Sequence, residues 1–188
     1  MTEWSAIAFT EARQVAELAE LETLPDTEVG VRAHHHALRE LGRDDEALTF
    51  VAHALPRAEA IGWAGRILEE EARTVTLDRA DRLALDYALR WLGEPDDARR
   101  RSAYDTAHGA GERAPERLLC LAVYFSGGSI SLPDLPPVLP RPEIAGRFAA
   151  AAVRTAAYRS ANPAAVIQRA LDLAESVGER GASALGDA

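Results

Sequence analysis

The sequence predicts an all-α protein, an irregular bundle of eight or nine helices. Three observations lead there. No stretch alternates β-branched with polar residues, and no Asn-Gly hairpin occurs. Alanine, the strongest helix former, supplies 38 of 188 residues. Proline falls where a helix would start and glycine where one would stop. A short right-handed solenoid is the alternative architecture, although no repeat recurs along the chain.

The elements follow from that punctuation. Thr10 caps a first helix running to about Glu22, and a second spans Thr27 to Leu41 and stops at Gly42. Asp44 caps a third over 45–55, and Pro56 begins a fourth that ends near Arg73. Thr76 caps a fifth over 77–92, closed by Gly93; Pro95 opens a sixth to about His108; Pro115 opens a seventh to Phe125. An eighth covers 143–160. Asn162-Pro163 starts a ninth, which runs to Val177 before Gly178. Residues 1–178 form one domain, and the small, polar tail 179–188 is expected to fray.

Helix seven is apolar nearly all round (Leu118, Leu119, Leu121, Val123, Tyr124, Phe125), which marks it as buried. Helix eight carries Ile144, Phe148, Ala151 and Thr155, with Ala145, Ala149, Ala152 and Ala156 beside them. Helix five is half solvated, with Asp78–Arg82 and Asp86–Arg90 spaced as ion pairs and Leu83, Tyr87 and Trp91 facing inward. Between helices seven and eight, five of the ten prolines crowd a long segment that cannot be helical. Its Ile130, Leu132, Leu135, Val138 and Leu139 suggest an ordered strap. The expectation is that these side chains bury against helices seven and eight, that Gly127 holds a left-handed turn, and that Leu135→Ala costs roughly 2–5 kcal/mol.

Charge and composition exclude several functions. The net charge is −9, with no lysine and 21 arginines. An acidic surface disfavours nonspecific binding to nucleic acid or anionic membrane. A single cysteine, Cys120, excludes an internal disulfide and a cysteine-based metal site, and its apolar context reads as a small buried hydrophobe. The longest uncharged apolar run, 118–125, is far shorter than a membrane span, and the start of the chain lacks a basic leader. The protein is expected to be soluble and cytoplasmic.

Several clusters invite chemistry, and each has a plainer reading beside it. His34-His35-His36 point about 100° apart on a helix and cannot close on one ion, so a partly exposed polar face is expected and no metal. Arg99-Arg100-Arg101 looks like an anion site, but Asp96 and Asp97 lie four residues before Arg100 and Arg101, the spacing of helix ion pairs; the three arginines form either a paired, solvated face or a contact for phosphate or a partner. Glu69-Glu70-Glu71 could be a paired-carboxylate acid–base site, but neighbours on one polar helix end give no reason to expect a pocket with perturbed pKa. Ser126-Gly127-Gly128-Ser129 could cradle a phosphate, but it ends a helix rather than opening one. Trp63 is either core or an interface anchor. No catalytic residue and no cofactor is assigned.

Three segments carry a family resemblance: Ala54-Leu55-Pro56-Arg57-Ala58-Glu59-Ala60-Ile61-Gly62-Trp63-Ala64-Gly65-Arg66; Trp91-Leu92-Gly93-Glu94-Pro95-Asp96-Asp97-Ala98-Arg99-Arg100-Arg101-Ser102-Ala103; and Phe125-Ser126-Gly127-Gly128-Ser129 with Pro133-Asp134-Leu135-Pro136-Pro137-Val138 and Arg147. Together they resemble a bacterial family known as domain of unknown function 6931, over roughly 44–177. The family usually has a Trp pair at Gly62-Trp63 and an arginine at Ala58, so this chain departs there. The resemblance implies a cytosolic helical protein with no catalytic residue carried over, from a family often encoded among type VI secretion genes.

The expected function is therefore a non-catalytic interaction component, an accessory, adaptor or chaperone-like protein. Its expected partner is a protein, a secretion component or an effector, with no nucleic acid, membrane or metal. One alternative is an enzyme or binding protein for a small anion, using Arg66, Arg147 or Arg154 in a cleft beside the Ser126–Ser129 turn. Such arginines on apolar helices need an acidic partner or a ligand. Another is an immunity-type inhibitor that blocks a toxin with its acidic surface.

Overall fold

A computed structural model describes residues 3–132 and 134–186. Ten helices and no strand occur among them: α1 (Ala12–Leu18), α2 (Val31–Glu40), α3 (Asp44–Ala54), α4 (Arg57–Glu71), α5 (Arg79–Gly93), α6 (Asp97–Ala107), α7 (Pro115–Tyr124), α8 (Ile144–Arg159), α9 (Pro163–Arg180) and α10 (Ser183–Gly186). The chain is an all-α irregular bundle. None of these helices is long and apolar enough to cross a membrane.

The ends show the local chemistry. Pro115 and Pro163 sit in the first turns of α7 and α9, where a missing N–H costs no intrahelical bond. Asn162 caps α9 by accepting from the Ala165 N–H at 3.2 Å. Asp96, not Pro95, starts α6, its carboxylate accepting from the Arg99 N–H at 2.7 Å. The N-cap of α1 is Glu11 rather than Thr10, with the Gln14 side chain reaching back to the Glu11 N–H. α9 runs past Gly178, where the missing Cβ leaves room for the Trp4 ring; a Cβ there would stand 2.5 Å from Trp4 Cδ2. The helix stops instead at Gly181, φ +65°. The segment expected to fray continues into the single turn of α10, which buries Ala184.

α7 and α8 are central. α7 packs on α4, α5, α6 and α8, and α8 on α3, α4, α7 and α9. The alanine face of α8 is the buried one: Ala145, Ala149, Ala152 and Ala156, joined by Gly146, Ala150, Val153 and Ala157. Ile144, Phe148, Ala151 and Thr155 sit at its edge, half-buried. Small side chains let neighbouring backbones approach, so α8 is in contact on several sides. α5 turns Ala84, Leu85, Ala88 and Trp91 inward and leaves Leu83 exposed, one position off the expected face. Arg82 donates to the Ala72 carbonyl at 3.3 Å, and Arg90 lies over the Tyr87 ring.

α7 also carries a buried charge. Glu116 is fully buried, and both its oxygens accept from Arg159 of α8, at 2.9 and 2.7 Å. A desolvated carboxylate requires such a bidentate partner. Cys120 is buried one turn further on. Its thiol donates to the Ala84 carbonyl at 3.1 Å, and burial, then the Glu116 charge, push its pKa up to about 12. It packs as the small apolar side chain its context suggested.

Candidate functional site

The segment between α7 and α8 is built onto the start of α6. Arg100 is 4% exposed. Its guanidinium donates to Asp97 Oδ1 from Nε (2.9 Å) and Nη2 (2.6 Å), to the Tyr124 carbonyl from Nη1 (2.6 Å), and to the Ser129 carbonyl from Nη2 (2.8 Å). It also lies over the Tyr124 ring, 5.0 Å from the centroid. Arg101 completes the clamp: Nε on Asp97 Oδ2 (2.8 Å), Nη2 on the Ser129 carbonyl (3.0 Å) and Nη1 on the Ser131 carbonyl (3.0 Å). Both arginines thus share one carboxylate, and those hydrogen bonds hold Asp97 below its ordinary carboxylate pKa.

The loop adds its own bonds. The Tyr124 hydroxyl donates to the Ile130 carbonyl (2.9 Å), and the Ile130 N–H to the Val138 carbonyl (2.8 Å). Ser129 Oγ accepts from the N–H groups of Ser131 and Val138, at 3.2 and 3.1 Å. The Ser131 hydroxyl donates to the Pro136 carbonyl at 2.8 Å. Ser131 Oγ therefore accepts a hydrogen bond from the Ser129 hydroxyl across their 2.7 Å contact. At the tip the Leu135 N–H donates to the Leu132 carbonyl. Pro133 lies outside the described residues.

The strap is thus pinned, but by polar bonds rather than by its aliphatic side chains. Leu132 is 65% exposed, Leu135 53%, Val138 52% and Leu139 72%; only Ile130 is half-buried. The expected burial against α7 and α8 does not occur, because the strap's anchors are backbone carbonyls drawn to Arg100 and Arg101 on the α6 side. The open edge of α7 and α8 is closed instead by Phe125 stacked on Phe148, 5.6 Å apart. The left-handed residue is Gly128, φ +68°, not Gly127. A Cβ on Gly128 would stand 3.2 Å from Arg100 Nε and Nη2 and from Asp97 Oδ1.

The turn also shows its carbonyls to cations. Arg57 donates to the Ser126 carbonyl at 3.2 Å, and Ser129 is held as described. That polarity is opposite to the N–H cradle a phosphate needs.

The remaining candidates are dispersed. Trp63 is fully buried, donating from Nε1 to the Ala170 carbonyl at 2.7 Å. Arg66 pairs with Glu69 and Glu70 on its own helix, Arg147 with Glu20, and Arg154 with Asp45 and Thr49. They do not converge beside the Ser126–Ser129 turn; Arg57, Arg100 and Arg101 occupy it. Arg99 pairs with Asp96 and Glu94. Glu71, expected on a polar helix end, is buried and paired with Arg169.

The histidines part company. His34 meets Phe50, at 4.9 Å between ring centroids, and His35 turns fully inward against Trp4, at 5.1 Å. That corrects the exposed face expected for His35: Trp4 covers it from the N-terminal segment, which the helix pattern does not reveal. Burial, then the charge of Arg39, push the His35 pKa down to about 3. Among the described residues, no group of three or more His, Cys, Asp or Glu could hold a metal ion.

Arg57, the Asp97-Arg100-Arg101 set and the Ser126–Ser131 strap all lie in one matched region. The profile of a family of unknown function, DUF6931, fits residues 35–178, about three quarters of the chain. The chain belongs to that family. The match begins within α2, upstream of the segments that carry the resemblance. No curated protein and no solved structure matches the chain.

Proposed function

We propose that this DUF6931 member is a non-catalytic interaction component, accessory, adaptor or chaperone-like, and that the strap is the face it turns to a protein partner. One observation carries this: four large aliphatic side chains stand exposed on a loop whose backbone is fixed by two arginines. Exposed apolar side chains gathered on one element mark an interaction site more than scattered ones do. A pre-fixed loop loses little conformational entropy on docking, so more of the apolar burial remains as affinity. Prolines between the aliphatics add to this stiffness.

The family resemblance suggests the setting. Its members are often encoded among type VI secretion genes, so the partner we propose is a cytosolic adaptor or effector of such a system. The test is photo-crosslinking in the native cell from residue 135 or 139. The expected result is one dominant crosslinked protein. The Leu135→Asp/Leu139→Asp double variant should no longer co-purify with it while melting at the same temperature. Full retention of the partner by a folded double variant would remove the strap from the interface.

A further inference from the structure

A second surface lies away from the strap, where α10 meets α4 and the end of α5. Gly62 and Gly65 open a hollow in α4. A Cβ on Gly62 would stand 2.5 Å from Leu185 Cδ1, and one on Gly65 2.9 Å from Leu92 Cδ1. Glycine inside a helix weakens it, and here its position coincides with the seat of one leucine. Leu185 fills that seat only in part. A cleft of about 420 Å³ remains, lined by Leu89, Trp91, Leu92 and Pro95 together with the charged Glu59, Arg66 and Glu69.

The segment that brings Leu185 is weakly tied. α10 is a single turn, too short to be helical without a surface to lie on. It follows Gly181, whose φ of +65° and ψ of −151° suit glycine almost alone. Its hydrogen bonds are local: Ala184 N–H to the Gly181 carbonyl, Leu185 N–H to the Ala182 carbonyl, and the Ser183 hydroxyl to the Arg180 carbonyl. Ala184 and Leu185 are its apolar anchors, while Ala182, Ser183 and Gly186 are exposed. Apolar contact is non-directional, so another aliphatic side chain on a helical turn meets the same requirements.

We propose that α10 is a displaceable plug, and that the α4–α5 cleft is a docking site for a partner's helix end whose leucine takes the place of Leu185 over Gly62. The current occupant defines the ligand: one helical turn, a small residue next to a leucine, and no charge inside the cleft. Opening at Gly181 leaves α9 intact and exposes the seat.

The test uses the chain ended at Gly181, with a synthetic peptide of residues 177–188 as the probe. The Trp91 indole N–H resonance reports on the cleft, because Trp91 lines it. The shortened chain should keep its fold and show a shifted Trp91 resonance. Peptide at about millimolar concentration, as expected for a ligand that acts intramolecularly at high effective concentration, should restore it. A peptide with Leu185→Ser should bind at least about tenfold more weakly. Gly62→Ala in the shortened chain, a change that favours helix, should abolish the response, and the full chain should not respond. Full-length Leu185→Ser should bind an apolar dye that the parent excludes. Loss of fold in both the shortened chain and Leu185→Ser would overturn the proposal by making α10 core. So would an equal peptide response in the full chain. Concentration-dependent dimers of the full chain, abolished by Leu185→Ser, would overturn it in favour of a second copy as occupant.

Discussion

At Arg100 the residue type is set by geometry. Four hydrogen bonds leave one planar fork toward a carboxylate on one side and two main-chain carbonyls on the other, over a tyrosine face. A lysine has one compact charge and cannot span those acceptors. Arg100→Ala should therefore destabilise by about 2–4 kcal/mol in urea unfolding, because buried carbonyls lose their donors. Arg100→Lys should recover only part of that. Leu135→Ala, by contrast, should cost no more than about 0.5 kcal/mol, as for other exposed positions, since half of Leu135 already faces solvent. A loss above about 2 kcal/mol there would return Leu135 to the core. Glu116 presents the stricter case. Removing one partner of a buried pair strands the other, so Glu116→Ala should cost about 3–5 kcal/mol, read in the same denaturant experiment. The partner of Glu116 was not legible, because Arg159 lies 43 residues away. The Asp97–Arg101 pair, by contrast, lies at helix spacing and was legible in the sequence.

Helices and loops differ in what a sequence reveals of them. The nine longer helices were legible because proline and glycine act within a few residues of where they stand, as at Pro115 and Pro163. α10 was not: four residues with one leucine have no period, and their helicity depends on the distant Gly62 hollow. The strap was half legible. Its prolines correctly forbade helix, but a loop has no face, so spaced leucines could not say whether they point in or out. The exposed answer follows from the carbonyl-seeking arginines of α6, whose targets are 24 to 30 residues downstream. The turn supplies the sharpest test at this scale. Gly128 needs positive φ and has Arg100 and Asp97 against it, whereas nothing stands within 4 Å of a Cβ on Gly127. Gly128→Val should lower stability by at least about 1–2 kcal/mol, the cost of a left-handed non-glycine residue. It should also speed protease cleavage between 130 and 140. Gly127→Val should leave cleavage near the parental rate. The opposite ranking would restore Gly127 as the pivot of the turn.

Across the whole molecule the core closes at its two ends in ways no local pattern announces. Trp4 enters a slot between α2 and α9, over His35 and against Gly178, so the N-terminal segment locks the bundle. Around His35 stand Arg39, His34 and His36 from α2 and Glu175 from α9, whose Oε1 lies 3.5 Å from the His35 Nε2 but is engaged by Arg39. Glu3 and Arg32 lie further along the same seam. The consequence is a defined acid sensitivity. His34, His35 and His53 all have pKa values pushed down, burial being the largest cause in each, and His35 reaches about 3. Unfolding returns each to about 6.5. In that interval the unfolded chain takes up protons that the folded chain refuses, so the stabilising contribution is complete above pH 6.5 and shrinks as pH falls. Each histidine adds a slope no steeper than about 1.4 kcal/mol per pH unit. Asp96 and Asp97, whose pKa values are lowered from 3.8, act in the same direction but only in stronger acid. Urea unfolding between about pH 5 and 7.5 therefore isolates the histidines. The parent should lose stability steadily from about pH 6.5 downward. His35→Leu should flatten that loss by about one proton's slope. An equally steep profile in His35→Leu would place the acid sensitivity outside the slot beneath Trp4.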